Sequence, residues 1–159
     1  MSESLEELLG RILTGRALSL ATAESCTGGL ISHLVTNVPG SSNYFKGGIT
    51  AYSNEAKIKL LGVLPETISN YGAVSEQTVL EMARGARRAF AADLGLSVSG
   101  IAGPGGGTPD KPIGTTWIGF SGMNKEAGLL FVFPGDRRAV KELAAKKALQ
   151  IALDYLKES

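Results

Sequence analysis

The sequence predicts an α/β fold: a single-domain, three-layer α/β/α sandwich over residues 1–159 with a mixed, mostly parallel sheet. Three observations lead there. A chain of 159 residues with 43% apolar and 19% charged residues has the length and balance of one globular core. Short apolar runs suited to buried strands alternate with segments whose apolar residues recur at helical spacing. The last two apolar runs follow each other closely enough to form a hairpin, which mixes an otherwise parallel sheet.

The first element is a helix over 4–15, since Leu5, Leu8, Leu9 and Ile12 share one face and Ser4 can cap it. A buried strand at 17–23 follows, then the corner Glu24-Ser25-Cys26-Thr27-Gly28-Gly29, which runs directly into a helix through Val35. After a break at 39–42, residues 44–52 resume as a strand with glycines near its middle. Ser53 or Asn54 caps a helix carrying Lys57, Leu60 and Leu61, and Pro65 opens a short helix ending near Gly72. From Ser75 a longer helix reaches about Asp93. It turns Val79, Met82, Ala86 and Phe90 inward and leaves Arg84, Arg87 and Arg88 in solvent. Residues 94–101 form a buried strand entering a glycine-rich loop over 103–114. Strands at 115–120 and 129–133 pair through Gly122-Met123-Asn124-Lys125. A last helix from Arg137 to Leu156 presents Val140, Leu143, Ala144, Ala148 and Ile151 to the core.

Charge and cysteine content narrow the function classes. Sixteen basic residues nearly cancel fifteen acidic ones, so the field that draws polybasic proteins to nucleic acid or anionic membrane is absent. An anionic ligand must be held locally. Cys26 has no second cysteine to pair with, the acidic amphipathic start is unlike a secretory signal, and no apolar run approaches the roughly 20 residues of a membrane span. These features predict a cytoplasmic protein with neither membrane nor nucleic-acid partner. One cysteine and one histidine cannot furnish a usual zinc site, so no metal is expected.

Chemistry gathers at four places. Ser25 sits at a strand-to-helix corner, where unpaired N–H groups, those of Cys26 and Thr27 among them, can hold an oxyanion. The serine is either a nucleophile or an N-cap. Cys26 beside it is either a rival nucleophile or a buried structural thiol. Tyr52 and Lys57 lie at a strand end and in the first turn of the next helix, a junction that aims two side chains into one cleft. A desolvated lysine can serve a serine as base, with a tyrosine hydroxyl orienting the proton. His33, well inside a helix, makes a poor competitor. The third place is Ser99-Gly100-Ile101-Ala102-Gly103-Pro104-Gly105-Gly106-Gly107-Thr108, whose glycines bring N–H groups around a phosphate or oxyanion, or simply form a flexible connection. It matches neither the Walker nor the dinucleotide spacing, which disfavours a nucleoside triphosphate. The fourth is Gly135-Asp136-Arg137-Arg138, where Asp136 caps a helix and Arg137 is either a phosphate contact or a solvated side chain.

Five motifs in order carry a resemblance: TAESCTGG at 22–29, YSNEAK at 52–57, GAVS at 72–75, SGIAGP at 99–104 and KPIGT at 111–115. Together the chain resembles the CinA C-terminal family and, along its length, the stand-alone nicotinamide-nucleotide amidases of that family. The larger CinA proteins have a further N-terminal pyrophosphatase-like domain, which is not expected here. Ile113 stands where a valine is usual.

The resemblance implies an amidohydrolase that converts nicotinamide mononucleotide and water to nicotinic acid mononucleotide and ammonia in pyridine-nucleotide salvage. It implies no cofactor, and a homo-oligomer. Ser25 would be the nucleophile, with Tyr52 and Lys57 as its activating partners. Cys26, Thr27 and Gly28 at the corner, with Gly100, Ile101, Ala102, Gly103, Gly105, Gly106 and Thr108 in the loop, would line the substrate pocket. Arg137 would touch the phosphate. The alternative reading is a non-catalytic nucleotide-binding or competence-associated regulatory module that keeps the pocket without turnover.

Overall fold

In the computed structural model, which describes residues 2–158, helices cover both faces of one five-stranded sheet. Helix α1 (Leu5–Arg16) leads into β1 (Leu20–Glu24), α2 (Leu30–Thr36), β2 (Phe45–Thr50), α3 (Asn54–Leu61), α4 (Pro65–Tyr71) and α5 (Glu76–Phe90). Strands β3 (Leu94–Gly100), β4 (Thr115–Ser121) and β5 (Glu126–Val132) follow, and α6 (Arg137–Lys157) closes the chain. Local chemistry sets the helix starts. Ser4 and Glu7 form a reciprocal capping box, while Ser53, Ser75 and Asp136 each accept a backbone N–H in the first turn of α3, α5 and α6. Pro65 opens α4, where its missing N–H costs nothing.

The strand order is β2-β1-β3-β4-β5. Strand β1 pairs parallel with β2 and β3, and β4 runs against both β3 and β5. Four strands therefore share one direction and β4 opposes them. Alternation along β3 sends Leu94, Leu96 and Val98 to the α1/α2/α6 face, where Leu9, Leu13, Leu149 and Leu153 complete a core. The opposite face presents Ala21 and Ala23 of β1 to Met82 and Ala86 of α5 and to Leu61 of α3. Small residues let α5 come close to the sheet. A Cβ on Gly119 would lie 2.5 Å from the Val79 carbonyl oxygen, to which Ser97 Oγ donates at 2.6 Å.

Local details bear on three of these expectations. Gly28 and Gly29 take φ values of 61° and 106°, so residues 25–29 form the expected turn and α2 begins at Leu30, which removes Ser25 as its N-cap. Leu143 is 39% exposed; Ala145, Leu149 and Leu153 occupy the inner face of α6 beside Val140, Ala144, Ala148 and Ile151. Arg84 and Arg88 are exposed as expected, Arg84 pairing with Glu126 at 2.7 Å and Arg88 reaching the Leu61 carbonyl at 3.3 Å, whereas Arg87 is half-buried and donates to the Gly122 carbonyl at 2.9 Å. No helix among the described residues is long and apolar enough to cross a membrane.

Candidate active site

Because β1, β2 and β3 run parallel, their carboxyl ends meet at one edge of the sheet, the usual place for a ligand in such folds. Glu24 at the end of β1 is level with Thr50 of β2 and Val98 of β3. The next residues out are therefore Ser25, Ala51-Tyr52 and Ser99-Gly100. Ser25 N–H donates to the Val98 carbonyl at 2.9 Å, which fixes the corner to the neighbouring strand.

The Ser53 cap starts α3 so that Lys57 falls in its first turn and points inward; the lysine is 1% exposed. Its Nζ lies 3.0 Å from Ser25 Oγ and donates to the Tyr52 carbonyl at 3.1 Å. Among the described residues it forms no ion pair. Burial pushes Lys57 below the ordinary lysine range, and the neighbouring Cys26 offsets only part of that shift. A neutral amine in this position accepts a proton from Ser25 while still donating to Tyr52 O. Cys26, 5% exposed, is the reverse case: burial above all pushes its thiol up to about 11, with Glu24 adding to the rise. At neutral pH it is a thiol, and a weak nucleophile.

Tyr52 contributes to the lysine through its carbonyl rather than its hydroxyl. The exposed phenol accepts a bond from Arg137 Nη2 at 2.8 Å, and Arg137 Nη1 donates to the Gly103 carbonyl at 2.8 Å. Arg137 thus bridges the end of β2 and the glycine-rich loop. On one side lies a cleft of about 220 Å³ holding Ser25, Cys26, Tyr52, Lys57, Gly100 and Ala102, with Asn54, Ala73, Val74 and Ser99 also on its walls. On the other side a hollow of about 460 Å³ shares Ala102 and Arg137 and adds Gly103, Pro104 and Arg138. A further, apolar hollow of about 390 Å³ against Leu18, Phe120 and Tyr155 contains none of these groups.

The remaining expected pocket residues stand outside the two connected clefts. Thr27 is buried and donates its hydroxyl to Glu24 at 2.6 Å, while Gly28 forms the exposed bend of the corner. Ile101 is held by its main chain, bonded to the Thr115 carbonyl and the Gly114 N–H. Gly105 and Gly106 are exposed, and Thr108 Oγ1 accepts from Lys111 N–H in a tight turn. His33 is exposed, and no group of potential metal ligands occurs among the described residues.

Sequence reasoning missed Glu24. Its carboxylate is 1% exposed and accepts from Thr27 Oγ1 at 2.6 Å, Ile31 N–H at 2.8 Å, and Ser32 N–H and Oγ at 3.0 Å each. The N–H groups at the start of α2 are therefore taken by a side chain of the protein itself. The N–H groups of Cys26 and Thr27, inside the turn, donate to no main-chain carbonyl among the described residues. Ser25 caps no helix, since α2 begins five residues later. An acidic residue at the end of a strand just before a glycine-bearing turn was the available signal.

The chain as a whole is similar to known proteins. The profile of the CinA C-terminal domain matches residues 2–156. A competence-damage inducible protein of Moorella thermoacetica is 48% identical over 94% of this chain, and a CinA-like protein of Kosmotoga olearia is 47% identical over 99%. The chain spans 36% and 37% of those relatives' own length. A CinA superfamily protein from Klebsiella pneumoniae superposes with a TM-score of 0.94 at 33% identity, covering 98% of this chain and 97% of that one. The competence/damage inducible protein CihA from Agrobacterium tumefaciens gives 0.90 at 38% identity, with 99% of both chains covered. Taken with the site geometry, these matches mean that the chain belongs to the CinA C-terminal domain family.

Proposed function

We propose that the chain is an amidohydrolase acting on the carboxamide of nicotinamide mononucleotide, with Ser25 as nucleophile and Lys57 as its base. The observation that carries this reading is the buried Lys57 Nζ 3.0 Å from Ser25 Oγ with no carboxylate to hold its charge. A lysine placed for structure alone would keep its ammonium in water, because burying an unpaired charge is expensive. Here desolvation supplies a neutral amine, which is what a serine needs.

In the first step Ser25 Oγ bonds to the amide carbon and its proton passes to Lys57. The carbonyl oxygen takes the negative charge, and the N–H groups of Cys26 and Thr27, which donate to no main-chain carbonyl among the described residues, are available to hold it. As the C–N bond breaks, Lys57 returns the proton to the leaving nitrogen, which departs as ammonia. Water then attacks the ester with Lys57 again as base, releasing the acid and restoring Ser25. The proton balance closes on the two side chains. With the amide at Ser25, the rest of the nucleotide extends past Arg137 toward Arg138 in the second cleft, where an anionic group meets positive charge and the start of α6.

The test is ammonia release by purified protein on nicotinamide mononucleotide, with free nicotinamide as control. Release from the mononucleotide at much higher kcat/KM is expected. Equal efficiency on both, or no release from either, overturns the reading.

A further inference from the structure

Among the described residues Glu24 is a buried acidic side chain, with four donors around it, that the proposed reaction does not use. Its position is peculiar: it immediately precedes the nucleophile, yet its side chain lies on the opposite side of the corner from Lys57, under α2. One carboxylate oxygen takes the Thr27 hydroxyl and Ile31 N–H; the other takes both donors of Ser32. Two of these bonds serve a helix start, where a negative charge is favourable and orphan N–H groups need acceptors. A cap of that kind would suffice for stability alone. The Thr27 bond is different, because Thr27 belongs to the turn itself and α2 does not begin until Leu30. At 2.6 Å it is the shortest of the four. It ties the middle of the Ser25–Gly29 turn back onto the strand end from which the turn departs.

We propose that Glu24 is a positioning residue for the reaction: by binding Thr27 Oγ1 within the corner and the first N–H groups of α2 beyond it, it holds Ser25 Oγ within reach of Lys57 Nζ and keeps the Cys26 and Thr27 N–H groups aimed as a unit. The inference rests on the Ser25–Lys57 reading. Gly28 and Gly29 bring no side-chain packing to the corner, and its main chain is held by Ser25 N–H to the Val98 carbonyl, Gly28 N–H to the Ser25 carbonyl, Leu30 N–H to the Thr27 carbonyl and His33 N–H to the Gly29 carbonyl. None of these bonds joins the turn to Glu24. Releasing the clamp lets the turn shift by fractions of an ångström, which is enough to separate a nucleophile from its base.

Two readouts test this: ammonia release from nicotinamide mononucleotide, and the rate at which a fluorophosphonate probe labels Ser25. In the labelling step Ser25 Oγ bonds to phosphorus, fluoride leaves, and Lys57 takes the proton, so it reports the dyad without any amide. Glu24→Gln places an amide donor against donors at a fully buried position and endangers folding, so Thr27→Val, which keeps shape and the main-chain N–H, is the deciding variant. The expectation is a folded Thr27→Val protein whose kcat and labelling rate both fall by about tenfold or more while KM changes by less than about threefold. Thr27→Ser, which restores the hydroxyl, recovers most of both rates. Wild-type rates in folded Thr27→Val overturn the proposal and leave Glu24 as a helix cap. A wild-type chain that takes the probe at Ser25 but releases no ammonia defeats the substrate reading alone, and the labelling rates of the variants still decide the role of Glu24. A wild-type chain that does neither overturns both.

Discussion

Arg137 Nη2 lies 2.8 Å from the Tyr52 hydroxyl, joining the first turn of α6 to the end of β2 across 85 positions of sequence. With Nη1 on the Gly103 carbonyl, the guanidinium is a strut between two clefts before any substrate arrives. Tyr52→Phe removes one end of the strut and leaves the carbonyl that holds Lys57. Its expected effect is a raised KM with kcat within a few-fold of wild type, and Arg137→Ala should raise KM further. Steady-state kinetics decides; a loss of kcat on the order of 100-fold in Tyr52→Phe at constant KM would assign the hydroxyl to proton transfer.

Ser25→Ala and Lys57→Met should each remove most turnover, by about 1,000-fold or more, with folding intact. In the proposed mechanism the two groups act as one unit, so the double variant should be little worse than either single. Multiplicative losses in single-turnover assays would separate Lys57 from the chemical step.

The depressed pKa of Lys57 fixes two pH dependences of the same sign. The proposed mechanism needs the neutral amine, so kcat/KM should rise as pH climbs through the folded-state value, which lies below the ordinary lysine range. Stability follows because the folded protein binds fewer protons at Lys57 than the unfolded chain does between the two values. The penalty is absent above the unfolded value and grows as pH falls to the folded one. Lys57→Met should therefore melt above wild type at neutral pH, with the gap closing as pH rises. Parallel melting curves across that range would mean that the site pays nothing to hold the amine.

Cys26→Ala should keep kcat within about tenfold of wild type, because removing a buried thiol costs packing rather than a nucleophile. With the thiol at about 11, iodoacetamide should modify native Cys26 far more slowly than the unfolded chain at pH 8. Rapid alkylation coupled to loss of activity would reopen the choice of nucleophile.

Gly119→Ala tests the approach of α5 to the sheet. A Cβ there meets the Val79 carbonyl at 2.5 Å, a main-chain atom that cannot swing aside. A loss of about 1–3 kcal/mol is expected in denaturant titrations. An unchanged midpoint would show that the helix slides to make room.

The sequence revealed those parts of the structure whose causes are local. Ser4, Ser53, Ser75, Asp136 and Pro65 start their helices where short-range capping rules put them, and the hairpin of β4 and β5 follows from two apolar runs around a turn. The turn between β1 and α2 was legible from its glycines, but Ser25 does not cap the helix, because two glycines at positive φ hold residues 25–29 out of α2. Lys57 could be nominated from its place near a strand end. Its burial against Ser25 required β2 to lie beside β1, a choice of strand order that periodicity does not encode. Leu143 misled for a simpler reason: a long helix rich in alanine offers several apolar stripes, and packing against β3 and β4 selects among them. Glu24 is one acidic residue among fifteen in the sequence, and the four donors around its carboxylate come together only when α2 folds over the end of β1.

The antiparallel course of β4 means that the segment from Ile101 to Gly114 leaves and rejoins the sheet at the same edge. Its stems are fastened, at Gly103 by Arg137 and at Lys111 by the Tyr71 carbonyl, whereas Pro104 to Asp110 face solvent. Length added between two fixed stems costs little closure entropy and disturbs no core contact. Pro104 to Asp110 is therefore the interchangeable part of this connection, the stretch that can be lengthened, shortened or grafted while the sheet edge carrying Ser25 and Lys57 stays as it is.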